Sequence, residues 1–212
     1  LEQNKNIMEK EKAKILINLA RESIERGLKG KMYEPENIDT SKEIKEEFNY
    51  KRGVFTSLYV YPEKKLRGCI GVPYPVYPLW KAVIISSYES AFCDPRFNPL
   101  KKEEFSKIVI ELTILTEPEK LTGEPEDYIN QIEIGKHGLI VQRGIFKGLL
   151  LPQVAIEWNF NEEEFLSETC LKAGLPENAW KDKDTSVYRF SGILIREKEP
   201  FGEIEVKDLS SL

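Results

Sequence analysis

The chain has 212 residues, 41% hydrophobic and 32% charged, with a formal net charge of −5 at pH 7. That length supports one large domain or two small ones around a real apolar core, without disulfide or metal staples. The acidic balance argues against a general nucleic-acid binder, which needs a basic face, and three cysteines without a CxxC pair exclude a disulfide framework and a zinc ribbon.

Residues 7–28 predict an amphipathic helix: Ala13, Leu16, Ala20 and Ile24 recur at helical spacing, widened by Ile15 and Leu19. Gly27 or Gly30 can stop it. The N-terminal stretch is charged and contains no apolar signal core, and no apolar run approaches membrane-span length. With reduced thiols as the simplest reading of the cysteines, the expectation is a cytoplasmic protein with no membrane segment. A polar stretch to residue 53 has room for a loop and a short helical piece. VFTSLYVY, 54–61, then predicts a strand, and KLRGCIG a second one after the Pro62–Lys65 turn.

VPYPVYP cannot supply a full ladder of amide donors and reads as loop or extended edge. From Leu79 a helix is expected with Trp80, Ile84, Tyr88 and Ala91 on one face, ending near Asp94-Pro95. KIVIELTIL alternates cleanly: Ile108, Ile110, Leu112 and Ile114 face one way, and Val109, Glu111, Thr113 and Leu115 the other. The acidic, turn-rich segment 117–127 is the expected boundary, giving subdomains 1–120 and 121–212 between which the chain can cross back. IEIGKHGLIVQRG predicts two short strands joined at Gly135–Gly138, and KGLLLPQVAIEW a strand broken at Pro152. NEEEFLSETCLKAGLP predicts a helix capped by Asn161 and Glu164 and closed by Gly174, with Cys170 inside. SVYRFSGILIRE closes as one strand. The pattern is α+β, with mainly antiparallel sheets carrying flanking helices.

The residues that can carry chemistry begin in LRGCIG. Alternation puts Arg67, Cys69 and Gly71 on one face and Leu66, Gly68 and Ile70 on the other, with Arg67 and Cys69 roughly 6–7 Å apart. A guanidinium beside a thiol favours thiolate, and Gly71 leaves the floor beside Cys69 open. The competing reading is a buried thiol, a snorkelling arginine and a bend. His137, the one histidine of the chain, sits in a Gly-Lys-His-Gly turn and is the natural acid or base near neutral pH, unless it is a plain surface residue. Arg96 can join Arg67 around an anion; alternatively Asp94 caps the turn and pairs with it. Pro152-Gln153 can place an amide in a cleft or simply end a strand. One histidine and no ligand-spaced cysteines suggest no metal, and no cofactor loop is present.

LRGCIG, a Pro-Leu helix start, DPRFNPL, GKHGLIV, GLLLPQVA and FLSETCLKAGL follow in that order from about Val54 to Phe190, and in this the chain resembles the AMMECR family. Asn98 stands where a second proline is expected in the DPRF loop, which bears on loop rigidity alone. The resemblance implies a two-domain α+β fold with LRGCIG facing a cleft between domains, and functional roles for Arg67, Cys69 and His137. It implies no specific activity. It does associate the chain with Memo-type proteins and radical-SAM enzymes, and so with an accessory role in a modification pathway. The two expectations are therefore an enzyme or enzyme component built on Cys69, Arg67 and His137, and a binding module for a small anion, a nucleotide or a protein partner through Arg67, Gly71 and Arg96.

Overall fold

The computed structural model describes residues 8–30 and 40–211, in which helices alternate irregularly with two antiparallel sheets, an α+β arrangement. Residue 7, the first of the expected N-terminal helix, lies outside the described residues. The chain divides into two compact units, residues 1–115 with 193–207, and residues 116–192 with 208–212.

In the first unit, α1 (Lys10–Leu28) and α3 (Leu79–Phe92) pack on one face of a five-stranded sheet. Its strands are β1 (Val54–Val60), β2 (Lys65–Val72), β3 (Ile108–Leu115), β8 (Gly192–Glu197) and β9 (Ile204–Asp208), in the order β2-β1-β3-β8-β9. The helical stripe Ala13, Leu16, Ala20 and Ile24 meets Val54, Leu58, Ile108, Ile110, Leu112, Ile114 and Ile195 in one core. This is what periods of 3.6 and 2 dictate for a helix laid on a pleated sheet. The short α2 (Lys42–Glu47) is capped by Ser41, whose hydroxyl accepts the Ile44 amide. α3 buries more of its surface than one apolar face. Ser86 and Ser87 bond Thr56 of β1 at 2.7 and 3.2 Å, and Ser90 donates to the Thr56 carbonyl at 2.7 Å. A buried polar seam of this kind, fully satisfied, fixes the helix on its two strands.

The second unit holds a four-stranded sheet in the order β4-β7-β5-β6: β4 (Glu119–Lys120), β5 (Gly138–Arg143), β6 (Phe146–Leu150) and β7 (Ser186–Phe190). Packed against it are α6 (Pro152–Glu157) and α7 (Glu162–Lys172); the single-turn α4 (Lys102–Phe105) belongs to the first unit and α5 (Pro125–Tyr128) to this one. Asn161 and Glu164 form the expected reciprocal cap of α7, both bonds 2.9 Å, and Gly174 follows with φ +75°. Cys170 is fully buried. α7 approaches β6 so closely that a Cβ on Gly148 would lie 2.4 Å from the Ala173 nitrogen.

Two expectations need correction. Residues 132–137 form no strand, because the amides of Lys136 and His137 both bond back to the Glu133 carbonyl and curl the chain. β5 pairs instead with β6, across a turn where Gly144 takes φ +56°. SVYRFSGILIRE is not one strand but two, β7 and β8, in different sheets. The break falls at Ser191, whose amide donates to Thr116 Oγ1 at 2.9 Å while its carbonyl accepts the Thr116 amide. Those side-chain and backbone bonds replace ladder bonds, so periodicity alone cannot reveal the break.

Candidate functional site

β2, which carries LRGCIG, is an edge strand, with its free side open to other partners. Its glycines have separate reasons. A Cβ on Gly68 would lie 2.1 Å from the Ser90 carbonyl, so glycine is what lets α3 approach. Gly71 lies opposite Phe55, whose ring occupies the space a Cβ would take, 2.3 Å away. The floor beside Cys69 is thus covered by an aromatic ring on that side.

The DPRF loop finishes the edge at Cys69. The Cys69 amide donates to Asp94 Oδ2 at 2.9 Å, and Arg96 donates to the Cys69 carbonyl at 3.1 Å. Arg96 also bonds both Asp94 oxygens, at 3.0 and 2.8 Å. Two side chains thereby do what the next strand of a sheet would do. Asp94 is buried, yet the Arg96 guanidinium, with the Cys69 and Arg96 amides, holds its carboxyl well below the usual carboxylate range.

Strict alternation does not hold at Arg67. The register slips between Leu58 and Tyr59, which pair with Gly68 and Leu66, leaving Arg67 as the extra residue of a β-bulge. Its guanidinium makes a bidentate pair with Glu104, at 2.7 and 3.0 Å, and donates to the Asn98 carbonyl at 2.9 Å. Nη1 of Arg67 is buried without a partner among the described residues. Arg67 and Arg96 flank the Phe97 ring, at 5.9 and 5.5 Å from its centre, beside a hollow of about 390 Å³ that Asn98, Lys101 and Glu104 also line.

Cys69 itself is half-buried, and its Sγ accepts a hydrogen bond from Ser57 Oγ at 3.2 Å. Ser57 faces Cys69 across one ladder and Glu111 across the other. The Tyr59 phenol is in hydrogen-bond contact with both Ser57 and Glu111. Arg196 lies 3.6 Å from Glu111 and pairs with Glu205 at 2.7 Å. A polar row therefore crosses the face of the first sheet that α1 and α3 leave free, from Cys69 through Ser57 and Glu111 to Arg196 and Glu205. Beside it lies a hollow of about 440 Å³ between Tyr59, Tyr61, Lys64, Val109, Glu111, Arg196 and Lys198. Burial pushes the Glu111 carboxyl up and the Tyr59 phenol up.

Sequence reasoning missed Ser57, Tyr59 and Glu111. The visible signal was Glu111 in the middle of KIVIELTIL. Val109 and Thr113, its neighbours on that face, are both buried, so this carboxylate stands in a strand covered on both faces.

His137 belongs to the second unit. Its Nδ1 accepts the Glu133 amide at 3.0 Å, which fixes the ring and leaves Nε2 carrying the proton when the imidazole is neutral. Burial, with Arg189 and Lys136 nearby, holds the imidazole below its ordinary value, so it is neutral at physiological pH. In the same unit, Oε1 of Gln153 is buried without a partner among the described residues, just inside the helix that Pro152 starts. Cys93 is exposed and Cys170 is pushed up to about 11 by burial. Among the described residues no group of three or more His, Cys, Asp or Glu side chains is placed to hold a metal ion, and no helix is long and apolar enough to cross a membrane.

Fold and site together define an α+β protein of two compact units, with a thiol held on a clamped edge strand. The AMMECR1 family profile matches residues 17–195, and the chain belongs to that family. A protein of Aquifex aeolicus is 55% identical over 190 residues, covering 90% of this chain and 95% of its own. One of Pyrococcus abyssi is 51% identical over 198 residues, covering 92% and 94%. The crystal structure of an uncharacterised protein from Pyrococcus horikoshii superimposes with a TM-score of 0.77 at 47% identity, over 95% of this chain and 98% of that one.

Proposed function

We propose that the chain is an enzyme, or a component of one, whose reactive group is the Cys69 thiol, acting in a modification pathway with Memo-type and radical-SAM partners. The observation that supports a working Cys69 is its treatment by the fold. Asp94 and Arg96 clamp its main chain from the edge, while its sulfur stays half-buried against one hydroxyl. A purely structural thiol in this protein looks different: Cys170 is packed away completely. The pathway rests on the family association.

In this reading Arg67 does not activate the thiol directly. Its bidentate pair with Glu104 positions the bulge, and Arg96 positions Cys69. His137, neutral at physiological pH, is the acid–base candidate of this reading. Timed alkylation with iodoacetamide, read by mass spectrometry, tests both. Cys69 should react faster than Cys93 and faster than a free model thiol, Ser57→Ala should slow it, and His137→Asn should displace its pH profile. A Cys69 no faster than the model thiol ends the catalytic reading; an unmoved profile in His137→Asn removes the histidine.

The unpartnered Nη1 of Arg67 beside the Phe97 hollow favours a second reading, a non-catalytic site for a small anion, nucleotide or partner carboxylate held by Arg67 and Arg96 next to Gly71. With inorganic phosphate as probe, Arg67→Ala should then weaken binding by about 1.5–3 kcal/mol, the worth of a charged hydrogen bond. Cys69→Ser should leave it unchanged.

A further inference from the structure

We infer that the hollow beside Tyr59 and Glu111 is a binding site for a small aromatic anion, with the Glu111 carboxyl donating a hydrogen bond to its charged group. Cys69 does not line this hollow, so the inference stands apart from the reading of the thiol.

The first argument is a contrast between two carboxylates. Glu197, also on the first sheet, is fully satisfied. Arg21 gives it bonds of 2.9 and 2.6 Å, and the Ile110 amide adds one of 2.8 Å. Glu111, with a side chain only 12% exposed, has the Tyr59 phenol beside it but no guanidinium or amide bonds of that kind. Its nearest cation is Arg196 at 3.6 Å, beyond hydrogen-bonding distance, and Arg196 gives its short contact to Glu205. Burying a carboxyl with so little support is unfavourable, and a leucine or glutamine there would serve packing better. A group kept in that condition beside an open hollow has the marks of a functional residue.

The second argument is what surrounds it. Lys64, Arg196 and Lys198 bring three cations to the rim, while Glu197 is neutralised by Arg21. Lys198 is shared with Glu203 at 2.8 Å. Tyr59 and Tyr61 supply flat ring surface, and Tyr61 is 40% exposed. Cations at the mouth and rings on the wall suit an anion with an aromatic body, such as an aryl carboxylate or aryl phosphate. Burial lets Glu111 hold its proton above the usual carboxylate range, so it can donate to the anion instead of repelling it.

The other ionisable groups facing Glu111 are Tyr59 from β1, Arg196 from β8 and Glu205 from β9, with Lys64 and Lys198 at the rim and Cys69 beyond Ser57. Surroundings push Tyr59 and Lys198 up and Glu205 down, each away from neutrality. Glu111 is therefore the carboxyl of this row that holds its proton above the usual carboxylate range.

Benzoate, phenyl phosphate, inorganic phosphate and phenol, titrated into the full chain and followed by backbone amide NMR shifts, test the site. Benzoate and phenyl phosphate should give saturable shifts at Val60, Val109 and Arg196. Phenol, which lacks the charge, and inorganic phosphate, which lacks the ring, should bind at least ~10-fold more weakly, about 1.4 kcal/mol. Benzoate affinity should fall as pH rises, because an ionised Glu111 repels the ligand. Glu111→Gln should lose that pH dependence. Lys64→Ala with Lys198→Ala, both at the rim, should weaken binding ~10-fold. Cys69→Ser should bind as the wild type does, which separates this site from the thiol. No saturable shift at these residues, equal affinity for phenol, or an unchanged pH dependence in Glu111→Gln would overturn the inference.

Discussion

Asp94 and Glu111 are both carboxylates of the first unit, and their surroundings push them in opposite directions. Asp94 accepts from the Arg96 guanidinium and from the Cys69 and Arg96 amides, which favour its charged form. Its stabilising contribution is present at neutral pH and is lost as pH falls below the usual carboxylate range, about 3.9. Asp94→Asn should therefore cost roughly 1.5–3 kcal/mol in urea denaturation at neutral pH, with a smaller difference from wild type in acid. Glu111 has the opposite sign. The folded state binds its proton more tightly than the unfolded chain, so stability declines as pH rises above about 4.3. Glu111→Gln should flatten that decline, read as melting temperature against pH; an unchanged slope would place the effect elsewhere. At this scale the sequence was only half legible. The pairing of Asp94 with Arg96 is local and could be read. The partners of Cys69 and Arg67 lie 25 and 37 residues away, and no local pattern encodes them.

Among elements, β2 shows how an edge strand is finished by side chains. Gly68 faces helix backbone that cannot move without shifting α3, whereas the atom nearest Gly71 belongs to the ring of Phe55. Gly68→Ala should therefore destabilise more, by roughly 1–3 kcal/mol as overpacking does. Gly71→Ala should be milder, because a ring can turn. Paired urea melts of the two variants decide it, and equal losses would show α3 to be less tightly seated than its 2.1 Å clearance implies. Regular elements were largely readable from the sequence: α1, β1, β2, α3, β3 and α7 follow their apolar periods and caps. Both failures lie where hydrogen bonds outside the strand ladder set the path. At Glu133–His137 turn bonds to one carbonyl, and at Ser191 bonds to the distant Thr116, replace the ladder that alternation suggests.

At the scale of the whole chain, the first unit is completed by residues 193–207, which return to it after the second unit has been built. The return is held by Arg21 of α1. Its guanidinium lies against the rings of Phe105 and Phe201, 5.2 and 3.8 Å from their centres. It also donates to the Phe105 and Ile108 carbonyls and pairs with Glu197 of β8. Breaking a buried pair from one side leaves a charge without compensation, so Arg21→Met should cost about 3–5 kcal/mol. Removing both charges, Arg21→Met with Glu197→Leu, avoids the stranded charge and should recover much of that loss. It also leaves the Ile110 amide without its acceptor, at about 1–3 kcal/mol, so recovery should be incomplete. Hydrogen exchange gives the sharper readout. If this pair holds the returning segment, Arg21→Met should release protection first along β8 and β9, while the hairpin of β5 and β6, which belongs to the other unit, keeps its protection. Uniform loss across both sheets would mean that Arg21 supports the chain as one cooperative block, and that the segment 193–207 has no separate stability to lose.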